Sequence, residues 1–272
     1  MTTTKPRKAG RNLLAAFAPN ASIGSAAPLL VALQIAAFFA LWAMSPYKAL
    51  PRPGEVLTAL RDLWQTQGLA GELIRSFGLN VEALAWTTGI GLALSYLTVL
   101  PFFRPVANAV SRGRFLSLAG FSVIFTLILH DGGRVKLSLL VLGMTVYFVT
   151  SMASVVAAIP KSEFDYARTL RMSEWRVVWE VVVLGTADKA FEIIRQNAAI
   201  GWTLLTVVEG LVRSGGGVGV LLLNQQKYFA IAGVFAIQLV ILAVGLGQDA
   251  VIGLVRRAVC PYADLTLERK DA

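Results

Sequence analysis

Apolar positions gather into long runs separated by short polar punctuation, and the runs set the elements. Six of them, at about 28–45, 79–100, 115–130, 135–159, 190–211 and 230–255, read as helices that cross a bilayer, which takes about 20 residues each. The third is the weakest, being short and interrupted by Gly120. Ahead of the second run the pattern changes. In LPRPGEVLTALRDLWQ two prolines and a glycine punctuate a turn, and Val56, Leu57, Leu60, Leu63 and Trp64 then recur at helical spacing. This predicts a short amphipathic helix on the outer membrane surface. Within the second run Ala83, Thr87, Gly91 and Ser95 place a small residue every four positions, which lets a neighbouring backbone come close. A pathway helix would use such a stripe, and so would ordinary bundle packing, the simpler reading.

Composition turns this pattern into a class. Of 272 residues 56% are hydrophobic and 15% charged, against about 25% charged in soluble domains. The chain is an all-α, polytopic membrane bundle of about six helices. The net charge of +9 marks cytoplasmic loops rather than a nucleic-acid partner, because no soluble basic face accompanies it. Cys260 is the single cysteine, so no internal disulfide exists. The N-terminal tail carries Lys5, Arg7, Lys8 and Arg11, and its apolar stretch LLAAFA is too short for a signal-peptide core. The tail is therefore expected to be retained on the cytoplasmic side. Arg104, Arg112 and Arg114 in the 101–114 loop, the 160–189 loop, and Arg256 with Arg257 then fall on that same side. The outer 46–77 segment mixes both signs. Six spans with both ends inside satisfy the lysine and arginine bias, dividing the chain into a tail at 1–27, a membrane domain at 28–255 and a tail at 256–272.

One stretch resists the oily pattern. SEFDYARTLRMSEWRVVWEVVVLG, residues 162–185, holds Glu163, Asp165, Arg168, Arg171, Glu174, Arg176 and Glu180. Pro160 ends the fourth span. Ser162 with Asp165 fits a capping box that starts a new helix, with Phe164, Ala167 and Leu170 on one face. Ser173 can cap a second helix, in which Trp175, Val178, Trp179 and Val182 share a face. Acids match bases here, so this is not a polybasic lipid anchor. A solvated loop is the bland reading. A long loop with its own apolar faces also suits docking of another protein.

The stretch resembles the cytoplasmic signature of binding-protein-dependent ABC importer permeases. Asp165-Tyr166-Ala167 stands where Glu-Ala-Ala would be, followed by RTL and then SEWRVVWEVVVL. Further matches extend across most of the chain. LPRPGEVLTAL is similar to the Leu-Pro-x-Pro entry of the nitrate, sulfonate and taurine branch, ELIRSF to the opening of its next span, and VVEGLVRSGGGVGVLL to its glutamate and glycine-rich turn. The sequence also departs from the family. Arg171 holds the position of the signature glycine, Leu184 that of the proline, Tyr166 replaces an alanine, and Leu79 stands where that branch has an arginine. A glycine would adopt the bend at 171 more cheaply than an arginine.

The resemblance implies a type I importer permease fold in a bacterial inner membrane, a second permease subunit as homodimer or heterodimer, a separate ABC ATPase that binds ATP and Mg, and a periplasmic solute-binding protein. It implies that Glu163, Phe164, Asp165, Tyr166, Ala167, Arg168, Leu170, Arg171, Ser173 and Trp175 form the ATPase-coupling element. Phe164, Tyr166, Leu170 and Trp175 would be apolar anchors, with Asp165, Arg168 and Arg171 setting register. The solute would be small and polar, sulfonate, taurine or nitrate-like. The departures suggest the atypical half of a heterodimer.

The chain is expected to be no enzyme and to hold no cofactor or metal of its own. No G-x-x-x-x-G-K-[ST] occurs, and GGGVGV at 215–220 lacks the lysine and the spacing, which leaves it as a tight outer turn. His130, the only histidine, sits beside Asp131 in what reads as a solvated turn, and one histidine with one cysteine supplies too few metal ligands. Glu180, Asp188, Glu192 and Arg195 near the fifth span are expected to stay at the interface or to pair. Charged and polar groups inside the spans are the candidates for the path or the outer face: Glu82, Asn197, Glu209 and Gln238, with Gln34 beside them. For Glu209 structural hydrogen bonding or contact with the binding protein is the preferred role. An ion-gradient-driven transporter or channel and a membrane scaffold are the rival classes, the first opposed by the scarcity of deep charges.

Overall fold

A computed structural model describes residues 27–44 and 50–261. The basic tail, Lys48 and the last eleven residues of the chain lie outside the described residues. Contacts divide the chain at Thr58 into two units. The first holds α1 (Ala27–Ala43), a helix apolar all round, as suits a lipid-facing segment. Phe38, Phe39 and Trp42 cluster along it, and Trp42 Nε1 donates to Pro51 O at 2.9 Å. Here α2 (Pro53–Gln65) begins. It is the predicted amphipathic helix, burying Val56 and Leu63 while leaving Leu57 and Trp64 exposed.

The second unit is a bundle built on α3 (Leu69–Leu97), α6 (Gly132–Ala157), α9 (Ala187–Leu211) and α11 (Ile231–Val259). Among the described residues α3, α6 and α11 are each long and apolar enough to cross a membrane. With 25 residues α9 has the length, but Asp188, Lys189, Glu192, Arg195 and Glu209 dilute its apolar character. The expected boundaries are close, except that α3 starts ten residues early and takes in ELIRSF.

The third run turns out differently. Only Leu118–Leu129 forms an upright helix, α5, of 12 residues. Before it come a 3₁₀ turn (Pro101–Phe103), α4 (Arg104–Arg112) and a second 3₁₀ turn (Gly113–Phe115). This stretch and α5 are bent by 108°, because Leu116 and Ser117 are extended rather than helical. Together the bent pair amounts to at most one span.

Small residues set the main packing. Ala83, Thr87, Gly91 and Ser95 are all buried, and Ser76 and Asn80 continue the same stripe. A Cβ on Gly91 would strike the Phe148 ring of α6, so the stripe brings α3 against α6. Phe148, Met152, Ala190 and Ile193 form a core between α6 and α9. Ordinary bundle packing accounts for the pattern. The two ends of the bundle then differ. One carries the segments 98–117 and 158–186 and is here called the elbow end. The other carries the glycines at 215–217 and is called the turn end.

Candidate functional site

At the elbow end α7 (Lys161–Thr169) and α8 (Glu174–Val177) follow the fourth span as two short helices with a bend between them. The helix starts two residues earlier than the capping box requires. Pro160 occupies the cap position and Ser162 lies inside the first turn, because proline already suits a helix start with no N–H to satisfy. Ser173 does sit at the cap of α8, without a side-chain bond. The bend falls at Arg171, whose φ is 58°, in the left-handed region that costs an L-residue about 1–2 kcal/mol. A glycine would be free of that cost. Beyond α8 the chain loosens into a π-type turn over Val178–Leu184, closed by Gly185 N donating to Glu180 O at 3.1 Å. Leu184 thus ends a helical turn, whereas a proline would lack the N–H.

Arg168 closes the bend. Its Nε and Nη2 donate to both carboxylate oxygens of Glu174 at 3.0 and 3.1 Å, and its Nη1 reaches Asp165 Oδ1 at 3.4 Å. This fork holds α7 and α8 in one geometry. The hydrogen bond from Arg168, and then its charge, hold the Glu174 carboxyl below the usual carboxylate range. Asp165 and Arg168 are therefore paired with each other and with Glu174 within this chain. Among the described residues Arg171 makes no salt bridge and remains outward.

The apolar candidates separate in the same way. Ala167 is buried and Phe164 half-buried, so that face of α7 turns toward the bundle. Tyr166, Leu170, Trp175 and Trp179 are 65%, 55%, 72% and 58% exposed, a set of large apolar groups left open among the described residues. Glu163 joins Tyr166, Leu170 and Lys189 around a cleft of about 460 Å³ beneath the helices.

At the turn end the polar groups are buried and interlocked. Glu209, 1% exposed, accepts from Ser76 Oγ at 2.6 Å and from Gly219 N at 2.7 Å. Ser76 Oγ accepts from Val218 N at 2.9 Å, Glu72 Oε2 accepts from Gly217 N, and Lys136 Nζ donates to Gly216 O at 2.6 Å. These bonds satisfy the first N–H groups of α10 (Val218–Lys227), a helix absent from the sequence reading, which joined the last two spans by a turn alone. Gly215, Gly216 and Gly217 have φ of 80°, 75° and 120°. A Cβ on Gly217 would strike the Glu209 carboxylate. The tight turn is present, and Glu209 is hydrogen-bonded into it. Glu72, Ser76 and Lys136 were not among the expected residues. Their signal was thin: Lys136 is a lone charge near the start of an apolar run.

The other path candidates scatter. Asn197 is buried, without a protein partner for its amide, in a cleft of about 20 Å³ with Ser151 and Gln196. Glu82 and Gln238 are exposed on α3 and α11, as Gln34 is on α1. They do not converge on one site. The charges near the fifth span do pair: Arg195 holds Asp249 with two bonds, one of them 2.7 Å, and Arg256 Nη1 reaches Glu192 at 3.4 Å. With Trp202 Nε1 donating to Gln248 at 2.8 Å, they tie α9 to α11. His130 ends α5 with φ 55° and its ring Nδ1 lies 3.2 Å from Ile128 O, while Asp131 caps α6. That pair is a turn.

No curated protein matches the chain. The family model described as binding-protein-dependent transport system inner membrane component matches residues 15–259, which takes in the bundle, the elbow and the glycine turn. The chain belongs to that family: it is a multi-pass inner-membrane permease subunit of an ABC transporter.

Proposed function

We propose that this permease works in an importer, forming with a second permease subunit a path for a small polar solute that a periplasmic binding protein delivers. The elbow end faces the cytoplasm in this reading, with both chain ends on that side, and residues 162–185 receive the ATPase. One observation carries the assignment: four large apolar side chains, Tyr166, Leu170, Trp175 and Trp179, stand exposed on helices that the Arg168 fork has made rigid. A stiff element joined directly to α6 and α9 can turn closure of a motor into movement of two spans. A loop meant only for water would gain nothing from those side chains.

A sulfonate, taurine or nitrate-like solute fits the branch resemblance of the entry and turn segments. The departures at Tyr166, Arg171 and Leu184 favour a heterodimer whose other half carries the standard signature. Counting copies of this chain in the purified complex tests this, and two copies without a second permease would refute it. The coupling assignment is tested by Leu170→Asp with Trp175→Asp. ATP-driven uptake is expected to fall at least about tenfold while the assembled permease still elutes intact, since central apolar anchors cost about 2 kcal/mol or more apiece. Unchanged uptake would overturn it.

A further inference from the structure

The bent third run carries a surface the importer reading does not use. No Asp or Glu occurs between Glu82 and Asp131, and the charges in that interval are Arg104, Arg112 and Arg114. All three are exposed. Around them stand Phe102, 79% exposed, and Phe115, 78% exposed, with Leu116 and Val106. Arg114 lies over the Phe115 ring at 5.1 Å. The 108° bend turns this stretch nearly square to α5, so that the two cannot both run along the membrane normal. A short helix carrying arginines, flanked by turns with exposed aromatic groups, suits the headgroup layer.

A cleft gives the surface depth. About 500 Å³ opens between the end of α3, α4 and the end of α6, with Thr98, Arg104 and Asn108 at polar positions and Val99, Ile159 and Phe164 at apolar ones. Arg104 Nε donates to Thr98 O at 3.1 Å, which fixes its guanidinium there and leaves the terminal nitrogens to meet an anion. An oxyanion that brings its own hydrocarbon matches both halves of this lining.

We propose that the 101–116 segment is a binding surface for anionic phospholipid, taking the phosphate of an acidic headgroup at Arg104, with Arg112 and Arg114 further along the segment adding positive charge. The 162–185 loop shows why charge decides the occupant. There acids and bases alternate and pair internally, as suits a protein partner. On 101–116 the charge is of one sign and unpaired, and attraction to an anionic leaflet then adds up residue by residue. Phe164 belongs to the cleft and to α7 alike, so the headgroup would sit against the back of the coupling element. The inference rests on membrane insertion and not on the ATPase assignment.

The test places the full-length chain, with its co-purifying subunits, in nanodiscs of phosphatidylcholine and phosphatidylglycerol at three to one. Lipids retained after gentle detergent release are then weighed by native mass spectrometry. Wild type is expected to retain phosphatidylglycerol over phosphatidylcholine at a ratio at least about fivefold above that of the bilayer. R104Q/R112Q/R114Q is expected to lose that enrichment while eluting at the wild-type volume, and R104K/R112K/R114K to keep most of it. R256Q/R257Q removes positive charge from the same end and should change little. Enrichment that survives in the glutamine triple variant overturns the proposal. So does enrichment that falls equally in R256Q/R257Q, since charge at that end and not this surface would then be responsible.

Discussion

The two ends of the bundle use the same residue types for opposite purposes. At the turn end Glu209, Ser76, Glu72 and Lys136 are spent on backbone groups of one glycine turn, and Glu209 and Ser76 are almost wholly buried. At the elbow end Arg168, Glu174 and Asp165 bond one another on the surface, with side-chain exposures of 50%, 71% and 70%. Burial makes the first set costly to disturb, because each orphaned group loses both its partner and water. Exposure makes the second set cheap to disturb, because water replaces what is lost. One end is made to hold its shape, and the other to present a shape to something else.

That contrast breaks most visibly at Glu209. Glu209→Ala strips acceptors from Ser76 Oγ and Gly219 N, and the loss is expected at about 3 kcal/mol or more, seen as a fall in the unfolding temperature of the detergent-solubilised chain and loss of uptake. A change no larger than that of Arg168→Ala would show the ends to be alike. Next in size is Gly217→Ala, which puts a Cβ at φ 120° against the Glu209 carboxylate, with a cost of about 2 kcal/mol in the same thermal measurement. At the elbow Arg171→Gly is expected to work the other way, gaining about 1 kcal/mol at a left-handed position and retaining uptake. Lower stability there would mean that the arginine side chain supports the bend.

Arg168→Ala is expected to cost little stability, because water replaces its exposed bonds. It should nevertheless reduce uptake, because α7 and α8 lose their fixed angle. The smallest effect is on pH. The Glu174 carboxyl is held below its ordinary value of 4.5 by Arg168. The stabilisation from that fork is therefore fully present above about pH 4.5 and is lost only as pH falls through the lower folded-state value. Tryptophan fluorescence from Trp175, followed from pH 7 down to 3, should report the change only at the acid end, and Arg168→Ala should remove it.

Much of the bundle was legible from apolar run length alone, because a helix in lipid must be apolar over a fixed distance whatever its neighbours do. The stripe at Ala83, Thr87, Gly91 and Ser95 was legible for the same kind of reason, since its period of four places it on one face. Arg171 was readable as a bend because few backbone states suit a position where glycine is usual. The third run does form a helix, but one of only 12 residues; the sharp bend against the stretch before it at 116 and 117 was not legible, because composition carries no record of direction. The inward turn of Phe164 was hidden too, since the period of a helix defines a face without saying what lies opposite.

The sequence by itself determined the class of the chain, the apolar runs that become its long helices and the existence of a polar elbow, because each follows from local composition and spacing. Only the tertiary structure decided which polar residues work together. Ser76 meets Glu209 across 133 positions and Lys136 meets Gly216 across 80. Such pairings are made when helices pack, and no local pattern fixes where a distant backbone carbonyl will come to rest.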